Sequence, residues 1–415
     1  MFATLASRSD LAIRLHHDAA FDEPAPPVVV ALPARDEEDH IEACLSALAR
    51  QRQPAGMEGG FGVLLLANNC RDATVPRAAR LLAAAGLPHR VMGISLPDGR
   101  ASAGFARGLA LDVASLWIER SGREGRLLTT DADTLVSPDW LVRNVAGLCG
   151  GCGAVAGRFK LDPLEEAALP LHLRQRRRIE AAYEVALLAL AARLDPLPHD
   201  PWPNHWTASG ASFALTLSAY RRIGGQPEVK AGEDRALAAA LARHDIPIRH
   251  DPKIVVTTSA RLDGRASGGC ATALRARCEE LDMPGDDKLE ALPAALGRMV
   301  LRRRMRTAFA AGLRADKWER RLALPQGALG DAASSARFGE AWARAEALSP
   351  ILVPSPLRPS QMALHLTAAW RLLRALDRAS TRREKVEPIL RRALSGDNVQ
   401  PPCRRMDEDV GRLVA

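Results

Sequence analysis

Aromatic residues make up only 4% of this 415-residue chain, and two of them are tyrosines. No recognisable nucleic-acid module accompanies the formal charge of +8, so nucleic acid is not an expected partner. Cysteine is sparse as well. The seven residues (Cys44, Cys70, Cys149, Cys152, Cys270, Cys278 and Cys403) are odd in number and scattered, which argues against a disulfide framework and for a reducing compartment. Cys149 and Cys152 have metal-motif spacing, but no second Cys/His pair stands at finger-like distance, so small-residue packing is the preferred reading. Long apolar runs are missing too: Val185–Ala192 falls far short of the roughly 20 residues a membrane helix needs. The first ten residues carry charge early and lack an apolar stretch of signal length. A leader over 1–25, no export, no transmembrane segment and a cytoplasmic location are therefore expected. A dinucleotide-binding Gly-x-Gly-x-x-Gly is absent after the first predicted strand, where the turn reads Pro33-Ala34-Arg35-Asp36-Glu37, and this disfavours a dehydrogenase.

What is present is an alternating strand–helix pattern in a chain long enough for two units. Val28–Leu32 and Phe61–Ala67 are continuous apolar runs of buried-strand type, each followed by a polar turn and a helical period: Ile41, Cys44, Leu45 and Leu48 after the first, Ala73–Ala85 after the second. A weaker strand over Arg90–Ser95, a helix over Ala103–Glu119 and a strand over Arg126–Thr130 continue the alternation. A parallel sheet follows, with ligands beyond the carboxyl ends of its strands. Further on, the pattern predicts a helix over Pro138–Leu148, a strand over Ala154–Lys160, a long helical insertion over Leu164–Leu194, and a last strand over Ile246–Thr258. The proline-rich segment 196–206 must be a surface loop. A helical second region is placed at 285–415, where Met305–Leu313 and Met362–Leu376 are amphipathic; packing, partner docking or a homo-oligomer are all compatible with them. The arginine clusters at 174–178 and 302–306 fit either a solvated helix face or an anionic ligand.

Thr129-Thr130-Asp131-Ala132-Asp133-Thr134 follows a strand directly, so two carboxylates one residue apart share a face and project into the expected ligand crevice. Such a pair suits Mg²⁺ or Mn²⁺, hard cations that prefer carboxylate oxygen and leave positions for substrate phosphates. Glu233-Asp234 follows Gly232 and opens a helix, where acids also complement the free N–H groups.

The motifs Leu32-Pro33-Ala34-Arg35-Asp36-Glu37-Glu38, Ala67-Asn68-Asn69-Cys70-Arg71-Asp72-Ala73-Thr74, Thr129–Thr134 and Gly232-Glu233-Asp234-Arg235-Ala236-Leu237 stand in the order seen in family 2 glycosyltransferases. With Ser209-Gly210-Ala211-Ser212-Phe213, Tyr220, Gly224-Gly225 and Thr258-Ser259-Ala260-Arg261, the sequence resembles that family over 26–270. The resemblance implies the GT-A fold, an α/β Rossmann-like domain with a mostly parallel sheet and flanking helices, here with a mainly helical carboxyl-terminal region. It implies a nucleotide-diphosphate-sugar donor, a UDP-sugar by preference, and a small-molecule or glycan acceptor. Pro33, Ala34, Arg35, Glu37, Asn68, Arg107, Asp131, Ala132 and Asp133 would contact the nucleotide sugar, Asp133 and Asp131 would hold Mg²⁺ or Mn²⁺, and Asp234, beside Glu233, would be the base of an inverting transfer. Trp202, His205, Trp206, Ser209, Gly210 and Ala211 would serve the acceptor, though one Trp could equally anchor its loop. Arg261 and Arg265 would lie on a loop over the diphosphate, or form an ordinary surface turn.

Asn68 replaces the Asp of many relatives, and an amide offers both donor and acceptor. The strand after Pro252 ends in Thr257-Thr258-Ser259-Ala260, without the histidine many relatives use as a metal ligand. The Gln/Arg-x-x-Arg-Trp signature of processive synthases is absent, which favours transfer of a single sugar. A retaining GT-A transferase, and a silent GT-A scaffold that binds a partner through its helical region, remain as alternatives.

Overall fold

The computed structural model describes residues 14–17, 24–54, 60–97, 101–122, 124–229, 231–262, 269–330, 336–382 and 387–394. The chain divides into two compact units, 1–168 with 206–274, and 169–205 with 275–415.

The first unit is a mixed α/β sandwich. Its sheet is built from β1 (Arg14–His17), β2 (Val28–Ala34), β3 (Phe61–Asn68), β4 (His89–Ser95), β5 (Arg126–Thr129), β6 (Leu135–Val136), β7 (Ala154–Leu161), β8 (Phe213–Thr216) and β9 (Ile248–Thr258). Among the described residues these form one nine-stranded sheet in the order β1-β4-β3-β2-β5-β8-β7-β9-β6. The expected parallel block is β4-β3-β2-β5. Antiparallel pairing enters where β8 inserts between β5 and β7, and where β6 and β1 close the two edges. Beyond β8, β7 and β9 again pair in parallel.

The continuous apolar runs become strands because both faces of the parallel block are covered. Alternate residues of β2 part company: Val29 and Ala31 join a core with the helix α3 (Ala103–Arg120), while Val28, Val30 and Leu32 join α1 (Ile41–Ala49), α2 (Thr74–Ala84) and α4 (Trp140–Cys149) on the other side. Helix α3 is buried almost all round, from Phe105 to Ser115 and at Trp117 and Ile118. Its one buried carboxylate, Asp112, accepts a hydrogen bond from the Tyr220 hydroxyl at 2.6 Å, and that hydroxyl accepts from the Gln226 N–H at 3.2 Å. Tyr220→Phe removes both bonds inside the core. An expected destabilisation of about 1–3 kcal/mol follows, readable by urea unfolding.

The helical stretch after β7 is two helices rather than one. α5 (Pro163–Ala168) stops and α6 (Leu171–Leu194) begins on either side of Pro170, which lacks the N–H a continuous helix would need and disfavours helical dihedrals before it. Residues 169–205, inside the domain expected from sequence, belong to the second unit. There Arg176, buried rather than solvated, bonds Glu180 at 2.9 Å and donates to the carbonyls of Leu281 and Pro284 at 3.4 and 3.1 Å.

The remaining helices are α7 (Leu217–Arg222) and α8 (Glu233–Arg243) in the first unit, α9 (Cys270–Glu279), and α10 (Leu292–Ala310), α11 (Ala315–Arg321), α12 (Phe338–Leu348), α13 (Pro359–Arg382) and α14 (Glu387–Leu394) in the second. The second unit has a core of its own around Met305, Trp318, Leu322, Leu329, Trp342 and Leu352. Its arginine cluster serves the fold. Arg302 and Arg306 bind the buried Asp195, and Arg303 donates to the Leu194 carbonyl at 3.1 Å, so the three secure the carboxyl end of α6. No helix of the described residues is long and apolar enough to cross a membrane.

Candidate functional site

Because β2, β3 and β5 run parallel, their carboxyl ends deliver three turns to one edge of the sheet. The first two turns clasp each other. The Glu37 N–H donates to Thr74 Oγ1 at 2.8 Å and the Glu38 N–H to Asp72 Oδ2 at 3.0 Å. In return the N–H groups of Arg71 and Ala73 donate to Asp36 and Glu38. Asp36 and Asn69 take the left-handed backbone conformation this requires, at φ 51° and 54°, which Asp and Asn tolerate better than most residues. Asp36, Cys70 and Asp72 are the one trio of metal-type ligands grouped closely among the described residues. All three side chains already bond within the clasp, however. Asp72 accepts from Glu38 and Thr74, Asp36 from Arg71, and the Cys70 sulfur accepts from the Asp36 N–H.

The third turn carries Asp131 and Asp133. Asp131 binds the guanidinium of Arg107 at 2.5 Å, and Asp133 binds that of Arg261 at 3.0 Å. Arg261 also meets both oxygens of Glu37, at 2.7 and 3.3 Å. Thr258, at the end of β9, reaches the other Asp133 oxygen at 3.5 Å, so a threonine hydroxyl stands where a histidine was sought. Burial above all, then the charges of Asp131 and Glu37, push the Asp133 carboxyl up to about 6, against the opposing pull of Arg261 and His40. Two carboxylates around one cation, Glu37 and Asp133, with Asp131 on the same turn as Asp133, give a donor set of hard oxygens, and these residues fit a divalent metal in place of the guanidinium.

Arg107 lies in α3 and is 4% exposed. The resemblance gives it to the nucleotide, but its nitrogens are engaged with protein: Thr129 Oγ1 at 2.9 Å, the Gly210 carbonyl at 3.0 Å, Asp131, and Glu233 at 3.5 Å. Burial opposes its charge, yet Asp131 and Glu233 outweigh that and hold its pKa above the ordinary value. Arg107 thereby ties the Asp131 turn to the amino end of α8. Gly210 is glycine for the same reason: a Cβ there would sit 2.3 Å from the guanidinium carbon. Gly210→Ala is expected to displace Arg107 and cost about 1–3 kcal/mol of stability in a denaturant titration.

At that end of α8, Gly232 adopts φ 72° and Asp234 accepts the Arg235 N–H at 2.7 Å. Burial first, then the Glu233 charge, raise the Asp234 pKa, opposed by the N–H groups of Arg235 and Gly210 and by Arg107. Asp234 is thus beside the Ser209–Ala211 turn, where Ser212 N–H bonds the Ser209 carbonyl at 3.1 Å.

Asn68, last in β3, is 2% exposed and its Oδ1 has no hydrogen-bond partner among the described residues. Its neighbour Asn69 is committed to the backbone of Leu96 through both side-chain atoms, at 2.8 and 3.0 Å. Pro33 and Ala34 end β2, Arg35 donates to the Ala101 carbonyl at 3.0 Å, and Ala132 is buried between the two acids. Trp206, Ser209, Gly210 and Ala211 belong to the first unit, Trp202 and His205 to the second, and Arg265 lies outside the described residues.

Sequence reasoning missed Glu165 of α5. It accepts the Ser259 hydroxyl at 2.7 Å and the Ala260 N–H at 2.5 Å and so secures the segment that carries Arg261. Nothing in Leu-Glu-Glu-Ala marks that partner, which is 94 residues away.

No family model matches the chain, and no curated protein does. Solved structures do. A mannosyltransferase of Pyrobaculum calidifontis, PcManGT, in complex with GDP-Man and Mn²⁺, is 18% identical with a TM-score of 0.40, over 83% of this chain and 91% of its own. TarS of S. aureus, residues 1–349 in complex with UDP, is 15% identical with a TM-score of 0.37, over 85% and 91%. Glucosyl-3-phosphoglycerate synthase of Mycobacterium tuberculosis, in complex with Mn²⁺, UDP and phosphoglyceric acid, is 19% identical with a TM-score of 0.34, over 57% and 72%. The chain is similar, at these low identities, to solved glycosyltransferases.

Proposed function

We propose that the first unit is a metal-dependent glycosyltransferase of the GT-A type, similar to family 2, which moves a single sugar from a UDP-sugar to an acceptor hydroxyl with inversion. The observation that carries this reading is the bridge through Arg107. One buried guanidinium joins Asp131 of the strand-end carboxylate set to Glu233, next to Asp234, so a cation-binding group and a separate base adjoin one crevice. A base must stand outside the metal's coordination sphere to keep its charge available, and two separate motifs satisfy that.

In this reading Asp133 and Asp131, with Glu37 beside them, would hold Mg²⁺ or Mn²⁺, which would supply positive charge against the diphosphate. Asn68 offers its open acceptor oxygen to a base N–H, which supports a uridine donor. Asp234 takes the proton as the acceptor O–H bond breaks. The acceptor oxygen bonds the anomeric carbon from the face opposite the diphosphate, and the diphosphate leaves with the electron pair of its C–O bond. The raised pKa of Asp234, from burial and the neighbouring Glu233 charge, makes it a better base than an exposed carboxylate. Trp206 and Ser209–Ala211 would take the acceptor's side in this unit. A cytoplasmic setting and self-association belong to the same proposal.

The test is to supply UDP- and GDP-sugars with Mn²⁺, follow release of nucleoside diphosphate, and read the anomeric configuration of any sugar product by NMR. Release from UDP-sugars with an inverted product supports the reading; a retained product removes Asp234 as base.

A further inference from the structure

Arg261 stands where a cation would. Its guanidinium bridges Glu37, at 2.7 and 3.3 Å, and Asp133, at 3.0 Å, and no other side-chain cation is bound to Asp133 among the described residues. The two arginines of the site differ in what holds them. Arg107 is 5% exposed in its side chain and fixed by a carbonyl and a hydroxyl as well as by acids, whereas Arg261 is 26% exposed and its guanidinium bonds to carboxylates. The backbone on which Arg261 sits is pinned separately. Glu165 accepts from Ser259 and from the Ala260 N–H, and the Arg261 N–H donates to Ser259 Oγ at 3.2 Å. The side chain can therefore change partners about a fixed Cα without rearranging the strand end.

A divalent ion and a guanidinium compete for the same carboxylate oxygen, because like charges a few ångström apart in a half-buried site repel strongly. An ion that takes the Asp133 oxygen now bound to Arg261 must displace Arg261 from it. Displacement by the ion alone leaves Arg261 with fewer partners. Displacement together with a diphosphate gives Arg261 a new anion, since phosphate oxygens suit the guanidinium fork as carboxylates do.

We infer that Arg261 is the resident counter-ion of this site, exchanged for the metal on binding, and that the exchange couples metal affinity to diphosphate affinity. The inference rests on the proposed metal-and-diphosphate reading of the site. Arg261 is in this account a positioning residue that sets the order and strength of loading, and coupling of this kind is reciprocal between the two ligands.

The experiment measures Mn²⁺ binding, by the spin-resonance signal of the free ion, for the full chain with and without UDP. The coupling factor is the ratio of the two affinities. For the native chain it is expected to be on the order of tenfold or more. Arg261→Gln removes the competitor, so Mn²⁺ alone should bind severalfold more tightly than to the native chain, UDP should bind Mn²⁺-loaded protein severalfold more weakly, and the coupling factor should fall severalfold below the native value, to what direct contact between ion and diphosphate leaves. Arg261→Lys keeps the charge but loses the planar fork that meets both Glu37 oxygens, and should fall between. It also guards against a misfolded glutamine variant, as does a matching melting temperature. Unchanged or weaker Mn²⁺ binding by folded Arg261→Gln, with native coupling, overturns the inference and leaves the site reading intact. A native chain that binds neither Mn²⁺ nor any of UDP, GDP and ADP overturns both.

Discussion

Asp234→Asn is expected to lower turnover by about 10³-fold while changing donor affinity by less than about threefold, the separation expected of a group that acts only as a proton acceptor. The geometry supports a clean result. Asparagine keeps the acceptor oxygen for the Arg235 N–H, so the amino end of α8 should hold, and Glu233 retains its bond to Arg107. Single-turnover kinetics with a UDP-sugar, beside calorimetry with UDP, separate the two quantities. A parallel fall in donor affinity would place Asp234 on the donor side and remove it as base.

Asp133→Asn is expected to do the opposite, and to stabilise the fold as it does so. An amide in place of this carboxylate removes the expected metal ligand, so Mn²⁺-dependent binding of UDP should be lost. The stability effect follows from the raised carboxyl. A carboxyl whose folded pKa, about 6, stands above its unfolded value is cheapest to bury protonated. Its contribution to stability is greatest below the unfolded value near 4 and declines as pH rises through about 6. At pH 8 the native chain bears the full cost of a buried anion next to Asp131 and Glu37, and the asparagine variant does not. A gain of about 1–2 kcal/mol, or a few degrees in melting temperature, is expected at pH 8 and should vanish near pH 4. The same protonation competes with the metal, so Mn²⁺ affinity of the native chain should fall steeply below pH 6. A variant that is destabilised at pH 8 would mean that the Arg261 ion pair outweighs the burial of the charge.

The place of Asp133 is legible in the amino-acid sequence, because a short acidic motif directly after an apolar strand falls in the turn at that strand's end. The same holds for the parallel block. Val28–Leu32 and Phe61–Ala67 alternate between two buried faces, and continuous apolar β-branched runs are what that environment selects. The antiparallel half is not legible in this way. β8 is four residues, Phe-Ala-Leu-Thr, and β6 is two, too short for periodicity to register; their partners are chosen by the sheet edge rather than by local pattern. The break at Pro170 is signalled by the proline itself, and the long helical stretch that follows conceals it.

In the site, each side chain's neighbours are out of reach of sequence. Arg107 resembles a ligand-binding arginine because arginines in such motifs often are, yet burial in α3 commits it to Thr129, Gly210, Asp131 and Glu233, contacts up to 126 residues apart. Thr258 and Glu165 carry no motif that names their partners. Their roles come from β9 ending beside the Asp133 turn and from α5 packing next to it, and neither is encoded within a few residues of chain. Arg261 is expected from sequence to meet a diphosphate, and the structure gives it carboxylate partners in the meantime.

In the proposed function, the edge formed by Glu37, Asn68, Asp131 and Asp133 binds a nucleoside diphosphate through a divalent ion. Calorimetric titration of the native chain with UDP and with GDP, in Mn²⁺ and again in excess chelator, tests it most directly. UDP is expected to bind in a manner that depends on Mn²⁺, to be released by chelator, and not to bind Asp133→Asn. Binding that survives both chelator and Asp133→Asn, or no binding of either nucleotide in Mn²⁺, would contradict it.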